Sequence, residues 1–257
     1  MAPPAKVALF VPCYNVEHAV ISVLERIPPD TLNRFEEVLL VDNGSQDRTR
    51  ELLKEFVRSH PEKFRLFLNE ENYSLGGSTI VAIRESLARE VDFLICLHSD
   101  GQADPQDLEN FFPLSLDEDF VFGSRLLPGS QTAGYSRVRM LGNWFFTRLQ
   151  QVILRQKIYD IGAFVAINLR TIGAYPYFGV RADMGYFPNL VLYLATQGKR
   201  LRCREFPIFW GEVRTTNVNI WAYGLNHLAQ LVRMGFRLYR LTDQEAADFR
   251  STEWRAR

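Results

Sequence analysis

The sequence predicts an α/β fold with a mostly parallel central sheet flanked by helices. Two observations predict it. Four short, strongly apolar runs recur through the first hundred residues, and segments with apolar residues at three- and four-residue steps separate them. Alternation of this kind with short connections implies parallel strands joined by helical crossovers, so that helices cover both faces of the sheet.

Taken in order, Lys6 to Pro12 reads as a buried strand. Val16, Ala19, Val20, Val23, Leu24 and Ile27 outline the apolar face of a helix. Glu37 to Val41 is a second strand, and Ser45 is placed to N-cap a helix whose inner face is Leu52, Leu53, Phe56 and Val57. Phe64 to Leu68 is a third strand, followed by a helix with Ile80, Ile83 and Leu87, and Phe93 to Leu97 is a fourth. The second half is less regular. Val138, Leu141, Phe145, Leu149 and Val152 mark a long helix, Ala163 to Ile167 a strand, Leu190 to Ala195 a helix, Arg200 to Trp210 extended segments, and Ile220 to Leu241 a closing helix. No Gly/Ser or Pro linker divides the chain, so one domain over residues 1–257 is expected.

Composition excludes several classes of protein. Of the 257 residues, 47% are hydrophobic and 23% charged, the mixture of a globular protein. The longest apolar runs fall far short of the roughly 18 residues of a membrane span, and Met-Ala-Pro-Pro-Ala-Lys has no signal-peptide core. Cys13, Cys96 and Cys203 are too scattered for a disulfide framework, and no Cys-x-x-Cys pair suits zinc. A cytoplasmic protein is expected. The zero net charge conceals an asymmetry: residues 1–132 carry −10, residues 133–240 carry +11, and the remainder −1. An acidic half joined to a basic half suits a site where a metal cation meets an anionic ligand. A neutral overall balance and the lack of any nucleic-acid module argue against a nucleic-acid partner.

In an open parallel sheet, ligands bind at the carboxyl ends of the strands. Those ends here carry Pro12-Cys13-Tyr14-Asn15-Val16-Glu17, Asp42-Asn43-Gly44-Ser45-Gln46-Asp47-Arg48-Thr49, Asn69 to Asn72 with Gly76-Gly77 beyond, and His98-Ser99-Asp100-Gly101-Gln102-Ala103-Asp104-Pro105. Singly, each reads as a turn or a helix cap. Four on one rim make a ligand site. Dinucleotide, P-loop and serine-hydrolase signatures are absent. A carboxylate with few protein partners, such as Asp100, resembles the way Mg²⁺ or Mn²⁺ is held when a diphosphate supplies the other oxygens. His98, two residues away on the same side of an extended segment, would favour Mn²⁺.

These blocks, together with Phe122-Gly123-Ser124-Arg125, Arg139 to Asn143 and Asp160 to Phe164, resemble the signature segments of family 2 glycosyltransferases, closest to the branch of dolichol-phosphate mannose synthase and its bacterial relatives. The resemblance implies a GT-A fold and an inverting, metal-dependent transferase that moves one sugar from a nucleotide-diphosphate sugar, UDP- or GDP-linked, to a lipid-phosphate or glycan acceptor. Residues 1–132 would form the nucleotide-sugar and metal half and 133–241 the acceptor half. Pro12, Tyr14, Asn15, Glu17, Gly77 and Ser99 would line the nucleotide-sugar pocket, with Asp42 on the base or ribose. Asp100 would hold the metal, with His98 and Gln102 as further ligands; the family often has Asp where this chain has His98. Arg125 and Arg139 match phosphate-binding positions, with an ion-pair role left open for each. Asp183 matches an acidic position and is the candidate base, with a helix N-terminal role left open. Arg214 is kept from the polyprenyl-phosphate pattern but its usual Lys companion is not, which leaves the acceptor open. A chain that binds sugar nucleotides without turnover, with His98 as the lesion, is the alternative. The closing helix, with Leu225, Leu228, Leu231 and Val232 on one stripe and Arg233, Arg237 and Arg240 near its end, suits peripheral membrane contact.

Overall fold

The computed structural model describes residues 5–134, 136–161, 164–211, 220–236 and 238–255, with the side chains of 220–223 left out. Its first half is β1 (Val7–Cys13), α1 (Val20–Glu25), α2 (Pro29–Leu32), β2 (Glu37–Asp42), α3 (Thr49–Ser59), β3 (Phe64–Asn69), α4 (Ser74–Leu87) and β4 (Phe93–Cys96). A 3₁₀ turn at Pro105–Phe111 leads into β5 (Phe120–Ser124), β6 (Gln131–Ala133), α5 (Arg137–Leu154), β7 (Phe164–Asn168) and α6 (Leu169–Ile172). The chain ends with α7 (Tyr186–Thr196), β8 (Cys203–Pro207), β9 (Phe209–Gly211), α8 (Ile220–Gly235) and β10 (Ser251–Trp254).

Eight strands form the main sheet in the order β10-β3-β2-β1-β4-β7-β5-β8. Pairs among β1, β2, β3 and β4 are parallel, as is β5 with β8; β7 runs antiparallel to β4 and β5, and β10 antiparallel to β3. From β1 the chain builds outward to one side through β2 and β3, then returns to place β4 on the other side of β1. That reversal is a topological switch point, where loops diverge and open a crevice at the strand ends. Alternate residues of the buried strands feed two cores. Ala8 and Phe10 of β1 face one apolar cluster, with Ile80, Ile83 and Leu190 from the covering helices; Leu9 and Val11 face the other, with Val23, Leu53 and Val57.

The alternating first half is as predicted, with two local differences there and a third in the closing helix. The helix expected across Val16 to Ile27 is shorter, because Val16 and Glu17 direct their N–H groups to Thr49 Oγ1 and Asp47 instead of into a helix, and Pro28-Pro29 restarts the chain as α2. Ser45 does not cap α3, which begins at Thr49; its hydroxyl accepts from Asn15 N–H instead. The closing helix ends at Gly235, and Leu231, expected on its exposed stripe, is buried against Leu192 and Met234. Arg237 lies outside the described residues.

Candidate active site

The strand register brings the predicted rim together. Cys13 at the end of β1 is in register with Asp42, and Phe10 with Cys96, so the loops after β1, β2 and β4 leave the sheet side by side. Hydrogen bonds then stitch them. Asn43 N–H donates to the Cys13 carbonyl at 2.8 Å, and Gln46 N–H to Asn15 Oδ1 at 2.8 Å. Arg48 N–H donates to Glu17 Oε2 at 2.9 Å, and the Ser99 hydroxyl to the Pro12 carbonyl. Asn15 adopts a left-handed backbone (φ 51°), and its short polar side chain suits that conformation. Pro12, Tyr14 and Asn15 are half-buried on the rim and Glu17 is exposed. Cys13 and Cys96 contribute no nucleophile. Burial pushes both thiols far up, and the neighbouring Asp42 and Asp100 charges add to this.

Asp42 is wholly buried. Its Oδ2 accepts from Arg50 Nε at 2.7 Å and its Oδ1 from Ser45 N–H at 3.2 Å. Asn43 beside it joins the loops after β2 and β3: its Oδ1 accepts from Asn69 Nδ2 and Tyr73 N–H, and its Nδ2 donates to Asn72 Oδ1. This amide network was not foreseen, because nothing in a single sequence says which of several strand-end amides will pair. Gly77 lies inside α4, where an added Cβ would fall 2.2 Å from Tyr73 Cβ and 2.8 Å from Phe249 Cδ1. The space its missing side chain leaves is filled by packing.

Asp100 and His98 stand half-buried just past β4. Asp100 Oδ1 accepts from Gln102 N–H at 3.0 Å, which curls the loop around the carboxylate, and Gln102 O accepts from Gly211 N–H at 2.8 Å. The imidazole of His98 meets the Trp210 indole edge-on, ring centres 5.7 Å apart. Among the described residues no group of three or more His, Cys, Asp or Glu can enclose a metal. The donor set therefore fits a cation that takes one or two protein ligands and completes its shell with diphosphate oxygens, as Mg²⁺ and Mn²⁺ do.

Arg125, at the end of β5, forms an ion pair, and a buried one. Its Nε and Nη2 donate to Asp160 at 2.7 and 2.9 Å, and its guanidinium lies 5.0 Å from the centre of the Trp210 ring. The side chains are 14% and 3% exposed, so the fork is held rigidly instead of lying on the surface. Arg139 is half-buried in the first turn of α5. Arg214 lies outside the described residues. Asp183 sits in the turn before α7, with Oδ2 on Arg181 Nε at 2.8 Å and Oδ1 accepting from Gly185 N–H at 2.8 Å. Its backbone carbonyl accepts from Gly76 N–H, tying that turn to α4.

The parallel sheet with its switch point between β1 and β4, and the rim of strand-end loops that carries Asp42, His98 and Asp100, agree with one family. The model of Glycosyl transferase family 2 covers residues 8–172. The chain belongs to that family. As a family 2 glycosyltransferase it is an inverting enzyme that takes its sugar from a nucleotide sugar. It is 26% identical over 209 residues to an undecaprenyl-phosphate mannosyltransferase of Micrococcus luteus, covering 80% of this chain and 84% of that protein. It is 24% identical over 148 residues to a UDP-N-acetylglucosamine–dolichyl-phosphate N-acetylglucosaminyltransferase of Methanococcus voltae, covering 52% and 58%. The glycosyltransferase also shares the fold of glucosyl-3-phosphoglycerate synthase from Mycobacterium tuberculosis, solved with Mn²⁺, UDP-glucose and phosphoglyceric acid (TM-score 0.61, 14% identity, 90% of this chain and 80% of that one). No helix among the described residues is long and apolar enough to cross a membrane.

Proposed function

We propose that this glycosyltransferase moves one sugar from a UDP- or GDP-linked donor to a polyprenyl phosphate at a membrane surface. The observation that carries the reading is the meeting of His98, two residues from Asp100 on the strand-end rim, with the guanidinium of Arg125, both against the ring of Trp210. The names of the two sequence relatives, both lipid-phosphate glycosyltransferases, support the acceptor class.

In this reading Asp100, with His98 or Gln102 as a second ligand, would hold a divalent cation, which when bound would supply positive charge to the departing diphosphate. Pro12, Tyr14, Asn15, Glu17 and Ser99 line the nucleotide side. Asp42 acts from beneath by fixing the turn that carries Asn43 to Ser45. Arg125 and Arg139 supply positive charge where negative charge develops on the departing diphosphate, and Arg125 needs no reorganisation because Asp160 already holds it. A phosphate monoester has a second pKa of about 6 and is ionised at neutral pH, so its oxygen attacks without a strong base. Asp183, held by Arg181 and Gly185, then orders the acceptor-side turn; it would take a proton only from a hydroxyl acceptor.

Membrane contact is part of the same reading. Phe146 packs over Gly224 and Ile153 over Gly235, so α5 and α8 lie side by side and run parallel. Val138, Leu141, Phe145 and Val152 of α5 are exposed, as are Leu225, Leu228 and Val232 of α8. At about 100° per residue, each stripe is offset about a third of a turn from its helix's contact row, in opposite senses on the two helices. Between parallel helices, opposite offsets face the same side. Neither helix contains an Asp or Glu, and Arg137, Arg148 and Arg233 border the apolar surface, a pattern suited to an anionic bilayer.

The test supplies Mn²⁺, undecaprenyl phosphate in anionic vesicles, and radiolabelled UDP-glucose, UDP-N-acetylglucosamine and GDP-mannose in turn. Label passing into the lipid fraction with one donor supports the reading. Label that stays water-soluble with every donor overturns it.

A further inference from the structure

Trp210 is 4% exposed and sits in β9, outside the blocks that point to the family. Its backbone bridges Ala103, and the next residue, Gly211, donates to the Gln102 carbonyl, so β9 braces the loop that carries His98 and Asp100. One side of the indole meets the His98 ring edge-on at 5.7 Å, and the Arg125 guanidinium stands 5.0 Å from its centre. Arg125 is fixed by Asp160. The indole thus touches both a candidate metal ligand and a candidate phosphate ligand.

The indole nitrogen gives this arrangement a direction. Trp210 Nε1 is buried and has no hydrogen-bond partner among the described residues. Buried indole N–H groups ordinarily find an acceptor. A Phe or Leu would fill the same space without an orphan donor. Beside His98 and Arg125, the ligand that supplies an acceptor is an anionic oxygen.

We propose that Trp210 is the positioning residue of the donor diphosphate: its ring sets His98 and Arg125 about the bound group, and its N–H is completed by a diphosphate oxygen. The proposal rests on the donor site described above. It assigns to β9 a part in recognition that the sequence motifs leave to the loops after β1, β2 and β4.

The test uses the full chain labelled with ¹⁵N on its indoles, with UDP and GDP as probes and Mg²⁺ for NMR. The Trp210 signal is the one missing from Trp210→Phe. It should move downfield when the nucleotide and Mg²⁺ are added. By calorimetry with Mn²⁺, Trp210→Phe, which keeps an aromatic ring but no N–H, should bind the nucleotide about tenfold more weakly, and Trp210→Leu more weakly still, while Trp210→Phe still unfolds in a single cooperative thermal transition. An unmoved Trp210 signal in a wild-type protein that demonstrably binds nucleotide overturns the proposal alone. So does Trp210→Phe binding with wild-type affinity. Failure of the wild type to bind either nucleotide with metal overturns the donor-site reading as well.

Discussion

Asp42 Oδ2 accepts a hydrogen bond from Arg50 Nε at 2.7 Å, with the carboxylate fully enclosed and the arginine one-third exposed. The bond runs from the end of β2 into the first turn of α3, so it fastens the strand-end turn before any ligand arrives. Removing the carboxylate leaves a partly buried guanidinium and the Ser45 N–H without their acceptor. Asp42→Ala should therefore lower stability by roughly 2–3 kcal/mol, with Asp42→Asn losing less because an amide oxygen can still accept from Ser45. Urea unfolding measures both losses, and calorimetry with UDP or GDP shows whether nucleotide binding falls with them. Weakened nucleotide binding at unchanged stability would return Asp42 to direct contact with the nucleotide.

Asp100 differs in that it stands half-open at the rim, and its hydrogen bond from Gln102 N–H to Oδ1 survives in an amide. Asp100→Asn should therefore keep the fold and its melting temperature. It should weaken Mn²⁺-dependent nucleotide binding at least about a hundredfold, since losing even an outer partner of a metal ligand costs roughly 10–100-fold. Chelation of the wild type should reproduce the same loss. Wild-type, metal-responsive affinity in Asp100→Asn would move the cation site elsewhere.

Much of this architecture is legible in the sequence because the responsible physics is local. Val38 to Val41 is a run of apolar residues buried on both faces, and such a run between helix-period segments has few other uses. The rim motifs follow from the same alternation. What stays hidden depends on distant partners. Asp160 pairs with Arg125 across 35 residues, and β10 adds to β3 from the far end of the chain. Gly77 looks like a ligand-cradle glycine, yet a Cβ there would also meet Tyr73 at 2.2 Å and Phe249, 172 residues away, at 2.8 Å. Ser45 has the composition of a helix cap, but Asn15 N–H claims its hydroxyl.

His227 on α8 is buried and hydrogen-bonded to Gln150 at 2.9 Å, and burial holds its pKa down at about 4, against an ordinary 6.5. Between those values the unfolded chain takes up a proton that the folded chain refuses. The neutral ring's contribution is therefore whole above about pH 6.5 and is lost as pH falls toward 4, amounting to about 3 kcal/mol at the lower limit. His227→Gln should be less stable than wild type at pH 7.5 but decline less between pH 6.5 and 4.5, as followed by urea midpoints. Parallel decline in both proteins would assign the acid sensitivity to other groups.

Gly76 sets how closely α4 approaches the turn that carries Asp183. A Cβ there would lie 2.5 Å from Ala182 Cα and 2.9 Å from Asp183 N, and backbone atoms cannot give way as the end of a side chain can. The same glycine donates its N–H to the Asp183 carbonyl at 3.2 Å. Gly76→Ala should push the turn outward, break that bond and cost about 1–3 kcal/mol from overpacking. The donor rim at Asp100 is built by other loops, so nucleotide affinity should hold within about twofold, a tolerance under half a kcal/mol, while kcat falls and the acceptor KM rises. Steady-state kinetics with the acceptor varied, alongside calorimetry of the nucleotide, separates the two. A Gly76→Ala protein that keeps kcat while losing nucleotide affinity would put the Asp183 turn on the donor side.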